Sequence, residues 1–348
     1  MQAPIRGRRT MPEVRRWPAA LGVAIALLSA IAVATAVLAA SGRSPSSALA
    51  ALVSGAVGTP QAVQRSLAKA TPLLFAGLAV AVGLRGGLFN IGVEGQLLAG
   101  GLAAAWVGFA MGGLPVWVHL PLAVAGGAAA GAAWAFVPGL LKAWRGAHEV
   151  IVTIMMNYVA AHLAHYLVSG PLKDTHTVAS ATPYVLPTAR LWAIGDGGRL
   201  SFGFPIALVA AAGFALLFRR ARLGLEIRAI GASPAAARTA GVPVARTIVV
   251  TMLLSGALAG LGGAVEILGV HHRFLVAFSP GYGFESIAVA LLGGLSAVGV
   301  TLSAILFGAL ASGSAYMESW ADTPRQIAGI VQAVAILSMG VCYLRRET

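Results

Sequence analysis

Charge is what this chain of 348 residues has least of. Charged residues make up 10% of it and hydrophobic residues 58%, where a soluble domain carries about 25% charged residues. That excludes an ordinary water-soluble globule and points to a polytopic membrane protein. Cysteine is nearly missing. Cys342 is the only one, so there is no internal disulfide and no cysteine-based metal cluster. Lysine is scarce as well. Lys69, Lys142 and Lys173 are followed by Ala70, Ala143 and Asp174, whereas a phosphate-binding loop needs Gly-Lys-Ser/Thr. Any nucleotide-driven work must therefore come from a partner. His148-Glu149 begins like a zinc-protease helix, but Val152 and Thr153 follow where a second histidine is required.

What the chain does have is apolar length. Runs near 18–40, 70–84, 88–110, 118–141, 149–168, 204–218, 247–270, 284–298, 301–318 and 326–344 predict an all-α membrane protein of about ten spans, with 284–318 open to broken helices. The first run follows Arg6, Arg8, Arg9, Arg15 and Arg16 and exceeds the core of a signal peptide, so it reads as an uncleaved span. The net charge of +13 marks cytoplasmic loops rather than a nucleic-acid surface. With the N-terminus inside, inner segments hold 16 of the 24 Lys and Arg residues and outer segments 8. This organisation gives a cytoplasmic basic segment 1–17, a single transmembrane domain 18–344 and a cytoplasmic tail 345–348. Within the domain, 169–203 is an outer loop carrying Tyr184 and Trp192, and 219–246 is the longest inner loop. Residues 41–69 read as an outer segment with an amphipathic helix on the membrane surface. The high Ala, Gly and Arg counts fit a GC-rich coding background and carry little weight.

Polar residues are expensive inside a bilayer, so those present need a reason. Both asparagines, Asn90 and Asn157, fall within spans, joined by Glu94, Gln96, Glu266, Glu285 and Gln332. Glu149, Thr153 and Asn157 are spaced by four, so they share one helical face with Ala160 and Ala164; Tyr158, His162 and His165 lie opposite. Such a face either lines a path or hydrogen-bonds neighbouring helices. The segments "GLFNIGVEGQLLAGGL" and "PGYGFESIAVALLGGL" share a faint likeness. They open the third and eighth spans, which run in opposite directions, so they suit an inverted repeat with interrupted helices around a cavity.

The inner loop carries helix punctuation. Ser233 can cap, Pro234 suits the first turn, Ala235 to Ala240 propagate, and Gly241 and Pro243 terminate. A helix of about two turns is marginal alone, so something must hold it.

"GLFNIGVEGQLLAGGLAAAW", "AHEVIVTIMMNYVA" and "GLEIRAIGASPAAARTAGVPV" resemble signatures of the permease subunits of bacterial ABC importers. The branch is the ribose/branched-chain amino acid one, and the nucleoside or simple-sugar permeases are the nearest in likeness. The likeness runs over about 70–344. It implies a second permease chain, homologous or identical, two cytoplasmic ATPases and an outer substrate-binding protein or lipoprotein. It further implies an inner-membrane location, a small-molecule solute, no cofactor and no covalent chemistry. The loop would supply an ATPase-coupling helix centred on Ser233, Pro234, Ala236, Arg238 and Gly241. Candidates for the translocation path are Asn90, Glu94, Gln96, Thr153, Asn157 and Glu285. His148 departs from the family pattern, where Asn is common. Two rivals stand beside this reading. One is a proton-coupled transporter using Glu94, Glu266 or Glu285. The other, more distant, is an intramembrane serine protease built on Ser296 of "GLSA" with His271.

Overall fold

In the computed structural model the described residues are 32, 33, 35, 36, 38, 39, 44–195, 200–320, 329 and 330. All but two residues of the expected last span, 326–344, and most of the first, 18–40, lie outside them, as do Gln332 and Cys342. The chain divides into a compact unit, 49–322, and a second unit of 1–48 and 323–348. Apart from the first residues of α1, every helix below belongs to the former.

Helix α1 is Pro45–Val57. Helix α2, Pro60–Arg85, starts where Thr59 accepts a hydrogen bond from the Ala62 amide and Pro60 takes the first helical position. The remaining helices are α3 Val93–Ala110, α4 Val116–Arg145, α5 Glu149–Ser169, α6 Gly203–Arg220, α7 Arg222–Ala232, α8 Pro234–Thr239, α9 Val244–Glu266, α10 Tyr282–Leu292 and α11 Ala297–Trp320. A π turn, Ile267–His271, extends α9. Among the described residues, seven helices are long and apolar enough to cross a membrane: α2 to α6, α9 with its π turn, and α11.

Two expectations change. Residues 60–69 form the first turns of α2, which runs on through Pro72 to Arg85 as one helix. The expected span at 284–298 is an 11-residue helix, α10, closed by Gly293 and by a turn in which Gly294 and Leu295 take φ of 57° and 55°.

Helix α9 is the centre of the unit and packs on α2, α3 and α4. Its contacts run antiparallel to α2 and α4 and parallel to α3. Helix α10 lies on α2 and runs parallel to it, with Val289 at Gly77 and Leu295 at Arg85. It is therefore antiparallel to α3. The crossing of α4 and α9 is built from Gly127, Gly131, Gly256 and Gly260: a Cβ on Gly131 or Gly260 would strike the backbone opposite. Gly100 of α3 joins the same contact. Small residues spaced by four let helices approach backbone to backbone, where lipid offers no hydrophobic drive to association. These glycines serve the packing, so coding background does not account for them. Around this centre α4, α5 and α6 show apolar residues outward, among them Phe136, Ile151, Met155, Val159 and Val209.

Arg85, Lys142, Arg145, Arg219 and Arg220 end α2, α4 and α6 at one end of the bundle, and α7 and α8 lie there too. This is the basic end. At the opposite end, residues 170–195 and 200–202 are stitched to the helix ends. Thr182 and Phe274 exchange bonds, the Val185 amide donates to the His272 carbonyl, and the Leu191 amide to the Leu268 carbonyl. His119, fully buried, contacts Thr188 Oγ1 at 2.8 Å and the Val107 carbonyl at 3.1 Å.

Candidate transport site

The site is a pair of broken helices meeting head to head. After Arg85 the chain turns through Gly87 at φ 68°, then runs without helix until Val93. That break frees backbone groups which membrane water cannot satisfy. Side-chain amides satisfy them instead. Asn90 Oδ1 accepts from the Gly92 amide at 3.0 Å and from Gln96 Nε2 at 3.1 Å. Asn90 Nδ2 donates to Gln96 Oε1 and to Ser255 Oγ, at 3.0 and 2.8 Å. Ser255 in turn donates to the Ala79 carbonyl at 2.7 Å. From α5, Asn157 Nδ2 donates to the Ile91 carbonyl at 2.9 Å, and its Oδ1 accepts from the Gly95 amide at 2.8 Å. Thr153 is buried beside Gly92 and donates to Val150 O. The Glu149 face of α5 is thus the buried one. Glu149 itself pairs with Lys142 at 2.7 Å at the basic end, and Tyr158 on the opposite face is exposed.

Helix α10 starts against this break. Ser279 Oγ accepts from the amides of Gly281 and Tyr282, both at 3.2 Å. The Gly283 amide donates to Glu94 Oε2 at 2.7 Å. A side chain on Gly283 would overlap the Glu94 backbone. Glu94 lies in the first turn of α3 and also serves the first turn of α10, so one carboxylate answers the positive ends of two antiparallel helices.

More ionisable groups gather around the start of α10. Tyr282 is buried within electrostatic reach of Glu94, Glu266 and Glu285. Glu285, half-buried, is within reach of Lys69 and Glu94. Glu266 is 5% exposed; its Oε1 is 3.4 Å from His271 Nε2, and its Oε2 has no hydrogen-bond partner among the described residues. The π turn carries His271 back toward Glu266, five residues earlier.

The structure therefore splits the candidates. Asn90, Gln96, Thr153 and Asn157 hold the break, and Glu94 and Glu285 stand with Glu266, Tyr282 and Lys69. Tyr282 and Lys69 escaped the sequence reading because neither sits at a telling spacing.

The loop residues are elsewhere, at the basic end. Ser233 Oγ accepts from the Ala236 amide, and Gly241 at φ 80° closes α8. Ala237 is buried with Ile230 and Val244. That small core holds the short helix and leaves Pro234, Ala236 and Arg238 exposed. Ser296 caps α11: its Oγ donates to the Gly293 carbonyl and accepts from the Gly299 amide. It stands beside Leu295 at the basic end, while His271 lies at the far end of α9, so the two do not form a protease pair.

Residues 62–339 match the family model described as the branched-chain amino acid transport system / permease component. The chain belongs to this family. It is a transport component of the membrane, not an enzyme. It is 43% identical over 342 residues to the guanosine ABC transporter permease protein NupP of Bacillus subtilis, covering 96% of both chains. It is 36% identical to the glucose ABC transporter permease protein TsgB13 of Haloferax volcanii, over 95% of this chain and 88% of that one. It is 33% identical to the nucleoside ABC transporter permease protein NupB of Lactococcus lactis, over 83% and 82%.

Proposed function

We propose that this permease carries nucleosides inward across a bacterial inner membrane as the membrane-spanning subunit of an ATP-binding cassette importer. The observation that carries the reading is the end-to-end match to a guanosine permease, at 43% identity and 96% coverage of both chains. A second nucleoside permease stands among the relatives. Both termini and the basic end face the cytoplasm, in keeping with the Lys and Arg bias. The partners are cytoplasmic ATPases, a second permease chain, and a substrate-binding protein outside.

The mechanism is alternating access. ATPase closure moves α8, which presents Pro234, Ala236 and Arg238 as the contact, with Ser233 and Gly241 fixing its two ends. The broken helices α3 and α10 then part on one side and close on the other. Glu94 and Glu285 face the solute, joined by Glu266, because a nucleoside offers hydroxyl and base N–H donors that carboxylate oxygens accept. Asn90, Gln96, Thr153 and Asn157 form the wall of the path.

The test is uptake of radiolabelled guanosine in cells lacking other nucleoside uptake, with the chain expressed alongside its partner subunits. Uptake that needs a working ATPase, and that inosine but not glucose inhibits, supports the reading. Inhibition by glucose alone would move the solute to sugars. Uphill accumulation by the purified chain alone, driven by a pH gradient in liposomes, would overturn the importer reading.

A further inference from the structure

At the basic end, Arg85 touches the turn that closes α10 and heads the segment that leads to α3. Arg85 ends α2. Its Nε donates to the Leu295 carbonyl at 2.9 Å. Its guanidinium lies over the rings of Phe218 and Phe214, 4.5 and 5.3 Å from their centroids. The charge within its reach is Arg228 of α7, which repels it. Two aromatic faces and one carbonyl hold this group in place against that repulsion. The carbonyl belongs to a strained residue. Leu295 has φ 55°, a left-handed conformation that a leucine adopts only where its surroundings impose it. It sits in the turn 293–296 between α10 and α11.

The other helix, α3, begins eight residues on, at Val93. Gly87 packs on Gly231 of α7, and a side chain on Gly231 would strike the Arg85 carbonyl. The backbone of α7 therefore touches the residues that lead through Asn90 to α3. Residues 85–87 are in contact with α7 on one side and, through Leu295, with the base of α10 on the other.

We propose that Arg85 is the positioning residue that passes motion from α7 and α8 to the broken helices, by clasping the Leu295 turn. Displacement of α7 pushes residues 85–87 through Gly231. The push reaches α3 along 88–92 and reaches α10 through the Leu295 carbonyl. Without the clasp, the ATPases cycle and the gate stays behind. This rests on the importer reading, in which energy arrives at α8.

The test uses the complete importer, with guanosine uptake measured in cells and ATP hydrolysis measured in membrane vesicles from the same cells. For Arg85→Gln, uptake falls on the order of tenfold or more while ATP hydrolysis stays within about twofold of the parent, because the donor to Leu295 and the ring contact go together. Arg85→Lys keeps a charge over the rings without the planar fork and gives an intermediate loss. If the glutamine variant fails to accumulate in membranes, Arg85→Lys and Phe218→Leu take its place, each losing uptake more than hydrolysis. Uptake and hydrolysis falling in proportion overturns the proposal, since that is general damage. So does unchanged uptake. A parent importer whose uptake ignores ATP would instead sink the importer reading, so the two failures are told apart.

Discussion

Two sets of polar side chains lie inside this bundle, and they are built on different terms. In one, Asn90, Gln96, Asn157 and Ser255 bond to one another and to the backbone at the helix break, and both amide groups of Asn90 and of Asn157 find partners. In the other, Glu94, Glu266 and Glu285 gather around Tyr282. A neutral amide carries a donor and an acceptor, so it replaces both kinds of lost backbone bond. A carboxylate has no N–H to offer, and at Glu266 one of its oxygens has no partner among the described residues. The amides therefore suit the work of holding a broken helix. The carboxylates suit the work of receiving donors from elsewhere.

That contrast can be broken by mutation. The largest loss should come from neither cluster but from the frame beneath both. Gly260→Leu drives a side chain into the Gly127 carbonyl and Gly131, and should cost roughly 3 kcal/mol or more, read as loss of the unfolding transition of the detergent-purified chain. Asn90→Leu comes next. It strands the Gly92 amide and the Gln96 side chain, and should cost about 2 kcal/mol, measured as a lowered thermal midpoint. Asn157→Leu, which leaves the Gly95 amide and Ile91 carbonyl unpaired, should cost about 1–2 kcal/mol in the same assay. Glu266→Gln should change stability least, by about 0.5 kcal/mol or less, yet lower guanosine uptake about tenfold, which corresponds to about 1.4 kcal/mol in the transport barrier. A glutamine at 266 that unfolds the chain as Asn90→Leu does would erase the distinction between the clusters.

Local chemistry was readable in advance, and distant pairing was not. The Ser233 cap, the Pro234 start and the Gly241 stop lie within nine residues, and α8 forms between them. The four-residue spacing of Glu149, Thr153 and Asn157 identified a face, and that face is buried. Spacing alone left open whether it met a solute or a helix, because a hydrogen bond from Asn157 to Ile91 spans 66 positions. The likeness between the segments opening α3 and α10 pointed to opposed broken helices. The Glu94 bond to Gly283, 189 positions away, had no sequence signal. The apolar runs at 284–298 and 301–318 left open whether this region held two spans or broken helices, and the backbone at Gly294 and Leu295 decides for a short α10. The glycines at 127, 131, 256 and 260 did carry a signal in their spacing, but an alanine- and glycine-rich composition masked it.

The shortness of α10 has a price elsewhere in the molecule. Eleven residues of helix reach about 16 Å, roughly half the thickness of a hydrocarbon slab of about 30 Å. Residues 272–281, which lead from the π turn into α10, carry no helix, and only the His272 and Phe278 amides bond back to carbonyls along the chain, those of Ile267 and Leu275. Their insulation is borrowed: the strand-like contacts of Thr182 and Val185 with Phe274 and His272 wrap that wire. Residues 181–191 are then sheathing, and trimming them would short-circuit the fold.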